Sequence, residues 1–219
     1  MLKYRISVLF LFIISICAFG FVKAFDAPLM GKVIYIDPGH GGVDPGAIYK
    51  EIYESDINLE ISKNLQHELE KLGAIVYLTR EGDYDLAVPN TINRKRSDLS
   101  RRGNLINKSN CDVYLSIHLN AETSSTWRGG QVFYDDINPN NELLASIIQK
   151  YFKENLYSKR KAKEIDEMYL SRRVKVPGVL LEVGFITNPN DRYLLRQKSY
   201  QVKVSKVISK ALITYFSQI

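Results

Sequence analysis

Apolar positions along the chain follow two rhythms that alternate with each other. Short β-branched runs read as strands: Lys32–Ile36 (KVIYI), Ala74–Thr79 (AIVYLT), Asp112–Leu119, Gln131–Tyr134 and Val179–Val183. The first of these runs stops at the turn signal Asp37-Pro38-Gly39. Between them lie stretches with apolar residues at helical spacing. In Asp56–Leu72, Ile57, Ile61, Leu65, Leu69 and Leu72 share one face, and Gly73 supplies a C-terminal cap. Ser97–Lys108 carries Leu99, Leu105 and Ile106, Asn141–Leu156 is amphipathic, and Tyr200–Phe216 closes the chain. Strands alternating with helices predict an α/β fold, a mostly parallel central sheet flanked by helices, in a single domain over residues 30–219. In such sheets, functional groups gather beyond the carboxyl ends of the strands.

The first 24 residues do not belong to that pattern. Lys3 and Arg5 precede an uncharged run, Ile6 to Val22, and Val22 and Ala24 place small residues before a cut after Ala24. This is an export signal. The uncharged run has 17 residues, near the lower limit for crossing a bilayer, so an uncleaved membrane anchor over residues 6–22 is the alternative. Either way the domain is expected to act outside the cytoplasmic membrane, secreted or anchored and facing the wall. Cys17 follows Ile16, where a lipoprotein signal wants a small residue, so lipidation is not expected.

Composition narrows the partners. Lys3, Arg5 and Lys23 account for three of the formal net charge of +6, which leaves +3 for the domain. That suits an anionic wall polymer and is no nucleic-acid footprint. Cys111 alone remains outside the signal; it makes no internal disulfide and is expected as a small buried residue.

Four residues carry candidate chemistry. His40 sits in Asp37-Pro38-Gly39-His40-Gly41-Gly42, where three glycines leave room beside the imidazole. His118, in Ser116-Ile117-His118-Leu119-Asn120-Ala121, ends another strand. Two histidines at strand ends meet at one rim, and imidazole is the commonest zinc ligand. A catalytic zinc wants a third protein ligand. Glu54 before the first helix is a candidate, and spacing alone does not choose between it, Glu51 and Asp56. Glu182 interrupts the apolar run Val179–Phe185. A carboxylate in such a place marks either a site or a buried ion pair, with Arg80 or Arg173 as the partner. His67 opens a zinc-protease-like pattern that fails at Lys71, so it reads as a surface residue.

Six stretches in order, IDPGHGG (36–42), ESDINL (54–59), LTREGD (78–83), SRRGNLIN (100–107), SIHLNA (116–121) and LLEVGFITN (180–188), resemble the zinc-dependent N-acetylmuramoyl-L-alanine amidases. No single stretch is distinctive; the ordered set is. The resemblance runs from about Lys32 to the C-terminus. It implies one zinc ion held by His40, Glu54 and His118, with Glu182 as catalytic glutamate. It implies hydrolysis of the amide joining N-acetylmuramic acid to L-alanine in peptidoglycan. Arg80 and Arg102 match family arginines of unassigned role, substrate-binding or structural, and Asp83 is the expected partner of Arg80. A short Tyr134–Asn141 connection leaves no room for a blocking helix, and Met168–Arg173 (MYLSRR) is similar to the spore-cortex amidases of endospore formers, which act on the way to muramic-δ-lactam. Two other readings remain: a zinc peptidase acting within stem peptides, and a non-catalytic peptidoglycan-binding module. The sequence also leaves open whether an activating partner protein is needed.

Overall fold

The computed structural model describes residues 27–166 and 169–219. The expected export signal or membrane anchor over residues 1–24 lies outside the described residues. Strand β1 (Val33–Pro38) leads through a two-strand hairpin, β2 (Ile48–Tyr49) and β3 (Ile52–Tyr53), into helix α1 (Glu54–Glu70). Then come β4 (Ile75–Leu78), α2 (Arg94–Lys108), β5 (Val113–Asn120), β6 (Gln131–Tyr134), α3 (Asn141–Asn155) and β7 (Lys163–Glu164). A 3₁₀ turn (Ser171–Arg173), β8 (Gly178–Phe185), α4 (Pro189–Leu195) and α5 (Lys198–Phe216) complete the chain. Among the described residues no helix is long and apolar enough to cross a membrane.

Six strands form one sheet in the order β4-β1-β5-β8-β6-β7. All neighbours are parallel except β6, which runs antiparallel to β8. The expected α/β architecture is therefore present. Side chains alternate across each strand, and this decides where the site lies. Ile34, Ile36, Val113, Leu115, Ile117, Val179 and Leu181 point to one face, where α1, α3 and α5 bury them in the main core. Burying each such side chain fully is worth roughly 1.5–3 kcal/mol. Tyr35 and Tyr114 point to the other face, against Ile106 of α2 and Leu170 and Val174 beside the 3₁₀ turn. Asp37, Ser116, His118 and Glu182 stand at the same alternation as these tyrosines. The polar residues of the central strands thus share the thinly covered face, and they sit at its carboxyl edge.

Several element ends differ from expectation. β1 continues through Asp37 and Pro38 because both still pair with β5. Helix α1 starts two residues early, so Glu54 lies in its first turn. Leu105 is exposed on α2, while Ile106 is fully buried. Cys111 is buried and free, and His67 is exposed, both as expected.

Candidate metal centre and active site

His40 follows β1 in a left-handed backbone conformation, φ 63°. A non-glycine residue pays strain there, so the surroundings must hold it. Arg102 donates to the His40 carbonyl at 2.7 Å, and the Gly41 amide donates to the Asp44 carbonyl at 2.8 Å. Asp44 also reaches the His40 ring, Oδ2 to Nδ1 at 3.0 Å.

Glu54 faces this loop from the start of α1 and is 4% exposed. Its Oε2 accepts from the Ala47 amide at 2.8 Å, and its Oε1 from the Leu119 amide at 3.0 Å. The same Oε1 lies 3.2 Å from His40 Nε2 and 3.1 Å from His118 Nδ1. Burial opposes the charge on Glu54, but hydrogen bonds from His118 and His40 and their positive charge outweigh it, holding the carboxyl well below its ordinary range. Burial would lower the His40 pKa; the hydrogen bond and charge of Glu54, with those of Asp44, raise it instead. His118 ends the regular part of β5, just where its register against β8 shifts. The two imidazoles meet edge to face, ring centroids 4.9 Å apart.

One nitrogen from each histidine and one oxygen of Glu54 fall within 4.8 Å of one another. Their cradle is made by glycines. A Cβ on Gly39 would run into the His118 ring, and one on Gly46 would meet Glu54 Oε2 and the His40 ring. Two imidazoles and a carboxylate, with no fourth side chain closing the group among the described residues, fit a zinc ion with an open position. Glu54 is the carboxylate in this cluster; Glu51 is exposed, and so is Asp56.

Glu182 pairs in register with His118 on the adjacent strand, so both side chains stand on the same face. The residue is partly exposed, yet its Oε2 is sealed from solvent and has no hydrogen-bond partner. Burial pushes its pKa up to about 8, the charge of Glu54 adds to the rise, and His40 offsets part of it. The alternative of a buried ion pair fails on both named arginines. Arg80 spends its guanidinium on the carbonyls of Pro38, Gly39, Ser55 and Gly82. Arg173 stacks on Tyr169, 4.5 Å from the ring centre.

Arg80 and Arg102 brace the site from beneath. Asp83 is not the ion-pair partner of Arg80; its carboxylate accepts from the Gly42 amide at 2.7 Å. Arg80 therefore holds backbone rather than charge. Arg102 is 1% exposed and bridges Asp37 and Asp98, each at 2.8 Å, while also donating to the Pro38 carbonyl. Asp37 further accepts from Thr79 and Ser116. Asp37 was readable from sequence by the signal that exposes Glu182, a carboxylate in an apolar strand, but the Pro-Gly after it reads as a turn. Tyr169 and Lys95, which line the cavity of about 190 Å³ beside His40 and His118, gave no such signal.

A histidine–carboxylate–histidine cluster at the edge of an α/β sheet, flanked by a carboxyl that keeps its proton near neutrality, has the layout of a metal-assisted hydrolase. The comparisons with known proteins specify the class further. The sequence profile of the N-acetylmuramoyl-L-alanine amidases matches residues 34–214, and the chain belongs to that family. It is 44% identical over 200 residues to the germination-specific N-acetylmuramoyl-L-alanine amidase of Bacillus subtilis, covering 90% of this chain and 84% of that one. The structure of the CwlD amidase from Clostridioides difficile, solved in complex with the GerS lipoprotein, superposes with a TM-score of 0.83 at 35% identity, over 86% of this chain and 100% of that one. The catalytic domain of CwlV from Bacillus (Paenibacillus) polymyxa gives 0.74 at 26% identity, over 85% and 98%.

Proposed function

We propose that this chain is a zinc-dependent peptidoglycan amidase that cuts between N-acetylmuramic acid and L-alanine, and that it serves spore-cortex maturation toward muramic-δ-lactam. The observation that carries the reading is the partnerless Glu182 carboxyl standing in register with His118 beside the donor cluster. His40, Glu54 and His118 would hold the metal. Zinc bound there supplies Lewis acidity and a water of lowered pKa. The rest falls to the chain. With a cation held in the cluster the Glu182 carboxyl would ionise more readily than in the metal-free protein, and as a carboxylate it takes the proton of the attacking water and returns it to the departing alanine nitrogen. Glu54 is kept anionic by His118 and His40 and is oriented by the amides of Ala47 and Leu119, so it binds as a carboxylate. Asp44 fixes the ring plane and tautomer of His40 from behind.

That last role makes a prediction. Outer partners of ligating histidines are worth about 10–100-fold in metal affinity. Asp44→Asn is expected to lose zinc affinity in that range, measured by competition with a chromogenic chelator, while His118→Ala loses it more severely. Full zinc occupancy in His118→Ala would remove that residue from the ligand set.

The relationship to a germination-specific amidase supports the cortex assignment, and the export segment expected from the sequence of residues 1–24 supports a location on the wall side. That the Clostridioides relative was captured with a lipoprotein supports an accessory protein for this chain too. A peptidase within the stem could use the same groups. End-group labelling of released peptides separates the two: amino-terminal alanine supports the amidase, and a new amine deeper in the peptide overturns it. For the cortex role, deletion of the gene should remove muramic-δ-lactam from the spores.

A further inference from the structure

Beyond the metal cluster, the described surface carries a basic groove that the proposed chemistry does not use. Two loops build it, 126–130 before β6 and 157–160 before β7. They are pinned together: Ser158 Oγ donates to the Gly130 carbonyl at 2.6 Å, and Gln149 donates to both the Gly130 carbonyl and Ser158 Oγ. Gly129, at φ +82°, has no room for a Cβ beside Tyr157 and Ser158. The resulting cavity, about 650 Å³, is lined by Trp127, Lys153, Tyr157, Lys159 and Arg160. Arg128 also lines it but is paired with Asp191 at 3.5 Å.

Arg160 is the centre of this groove. Its guanidinium lies over Trp127 and Phe185, 5.1 and 4.5 Å from the ring centres. Among the described residues it donates only to neutral acceptors, the Arg128 carbonyl and Gln131 Oε1. Burial lowers its pKa, with Glu122 and Asp191 acting against that only at longer range. Lys153 and Lys159 are exposed and make no ion pair among the described residues.

The position gives these cations a purpose. Gln131 is in register with Glu182, and Glu182 with His118. Side chains of paired residues share a face, so the row runs His118, Glu182, Gln131, Arg160. Strands are spaced ~4.8 Å apart, which places the Arg160 guanidinium roughly 12–15 Å from the metal cluster. An extended peptide covers that span in about four residues, at ~3.3 Å each. Stem peptides carry free carboxylates at that distance from the bond to muramic acid.

We propose that the groove around Arg160 is a subsite for the carboxylates of the stem peptide, and so a determinant of which peptides are released. The proposal rests on the amidase reading. The test compares two muramyl tetrapeptides, one with free carboxylates and one with them amidated, as a ratio of kcat/KM. Wild-type protein should favour the free acid about tenfold, the scale of one charge-assisted contact. The ratio should fall toward one in Arg160→Gln and in Lys153→Gln/Lys159→Gln, the latter pair being exposed and free of packing roles. A wild type indifferent to amidation, or variants that keep the full preference, would overturn the proposal. So would a loss in Arg160→Gln that is equal on both substrates with the lysine pair silent, since that marks a structural role. Inhibition by a glycerol-phosphate oligomer without any effect of amidation would assign the groove to phosphate instead. If wild-type protein cuts neither peptide, the amidase reading fails first, and that result is distinct from the others.

Discussion

Glu182→Gln is expected to lower hydrolysis by about 10²–10⁴-fold, the range of a general acid–base group, while zinc content and fold are kept. It should also stabilise the metal-free protein at alkaline pH. The sign follows from the raised pKa. In the unfolded chain the carboxyl ionises near its ordinary value of 4.5, whereas in the folded chain it holds its proton to about 8. The group therefore costs stability as pH rises from about 4.5 to 8. The cost is on the order of 1–3 kcal/mol after discounting for the partial exposure of the side chain. Thermal melts of the metal-free proteins at pH 4 and pH 8 measure this. The variant should gain at pH 8 and show little difference at pH 4. A carboxyl kept where it destabilises the chain is what a working proton carrier looks like, and a non-catalytic binding module would have no use for it. Unchanged hydrolysis in Glu182→Gln would remove the residue from the reaction.

Arg102→Met is the second large effect. It leaves Asp37 buried with only Thr79 and Ser116 as partners. Breaking a buried pair from one side costs about 3–5 kcal/mol. The loss should depend on pH in a defined direction. In the wild type, burial pushes the Asp37 pKa up, but the charge of Arg102 and hydrogen bonds from Thr79, Arg102 and Ser116 outweigh it, so the folded pKa lies below 3.8. That contribution is present above the unfolded value and is lost as pH falls through the folded one. Without Arg102, Asp37 prefers its proton, so the variant should recover relative to wild type as pH falls from 7 toward 4. Denaturant melts at both pH values check it; a gap that stays constant would show that Arg102 acts by packing alone. Activity should fall as well, because the guanidinium that bonds Asp37 also bonds the carbonyl of His40 in its left-handed conformation.

Most of the framework was legible because period and length agree: the run KVIYI and the helix built on Ile57, Ile61, Leu65 and Leu69 each bury a full apolar face. Elements too short to show a period were not. The hairpin strands β2 and β3 have two residues each, and so has β7. Helix α4, seven residues long, was not read either, although Asn188-Pro189 carries a start signal: the Asn188 side chain caps the amides of Asn190 and Asp191, with Pro189 in the first turn. At the site, His118 and Glu182 stood out as polar residues in apolar strands, and His40 by the glycines around it. Glu54 did not, because what selects it over Glu51 is the loop amide of Ala47 and the distant amide of Leu119. The arginines were unreadable for a related reason. Among the described residues Arg80 bonds only carbonyls, and no sequence pattern marks a carbonyl as an acceptor.

The central claim is that His40, Glu54 and His118 carry a zinc ion with which Glu182 cleaves the muramyl–alanine amide. Mass spectrometry of muropeptides tests it most directly, after incubation with protein stripped by chelator and with the same protein given one equivalent of zinc. The account predicts intact stem peptides beginning with alanine, together with unsubstituted muramic acid, only in the zinc-treated sample and not with Glu182→Gln. Equal release from the stripped protein, or peptides cut at an internal bond, would contradict it.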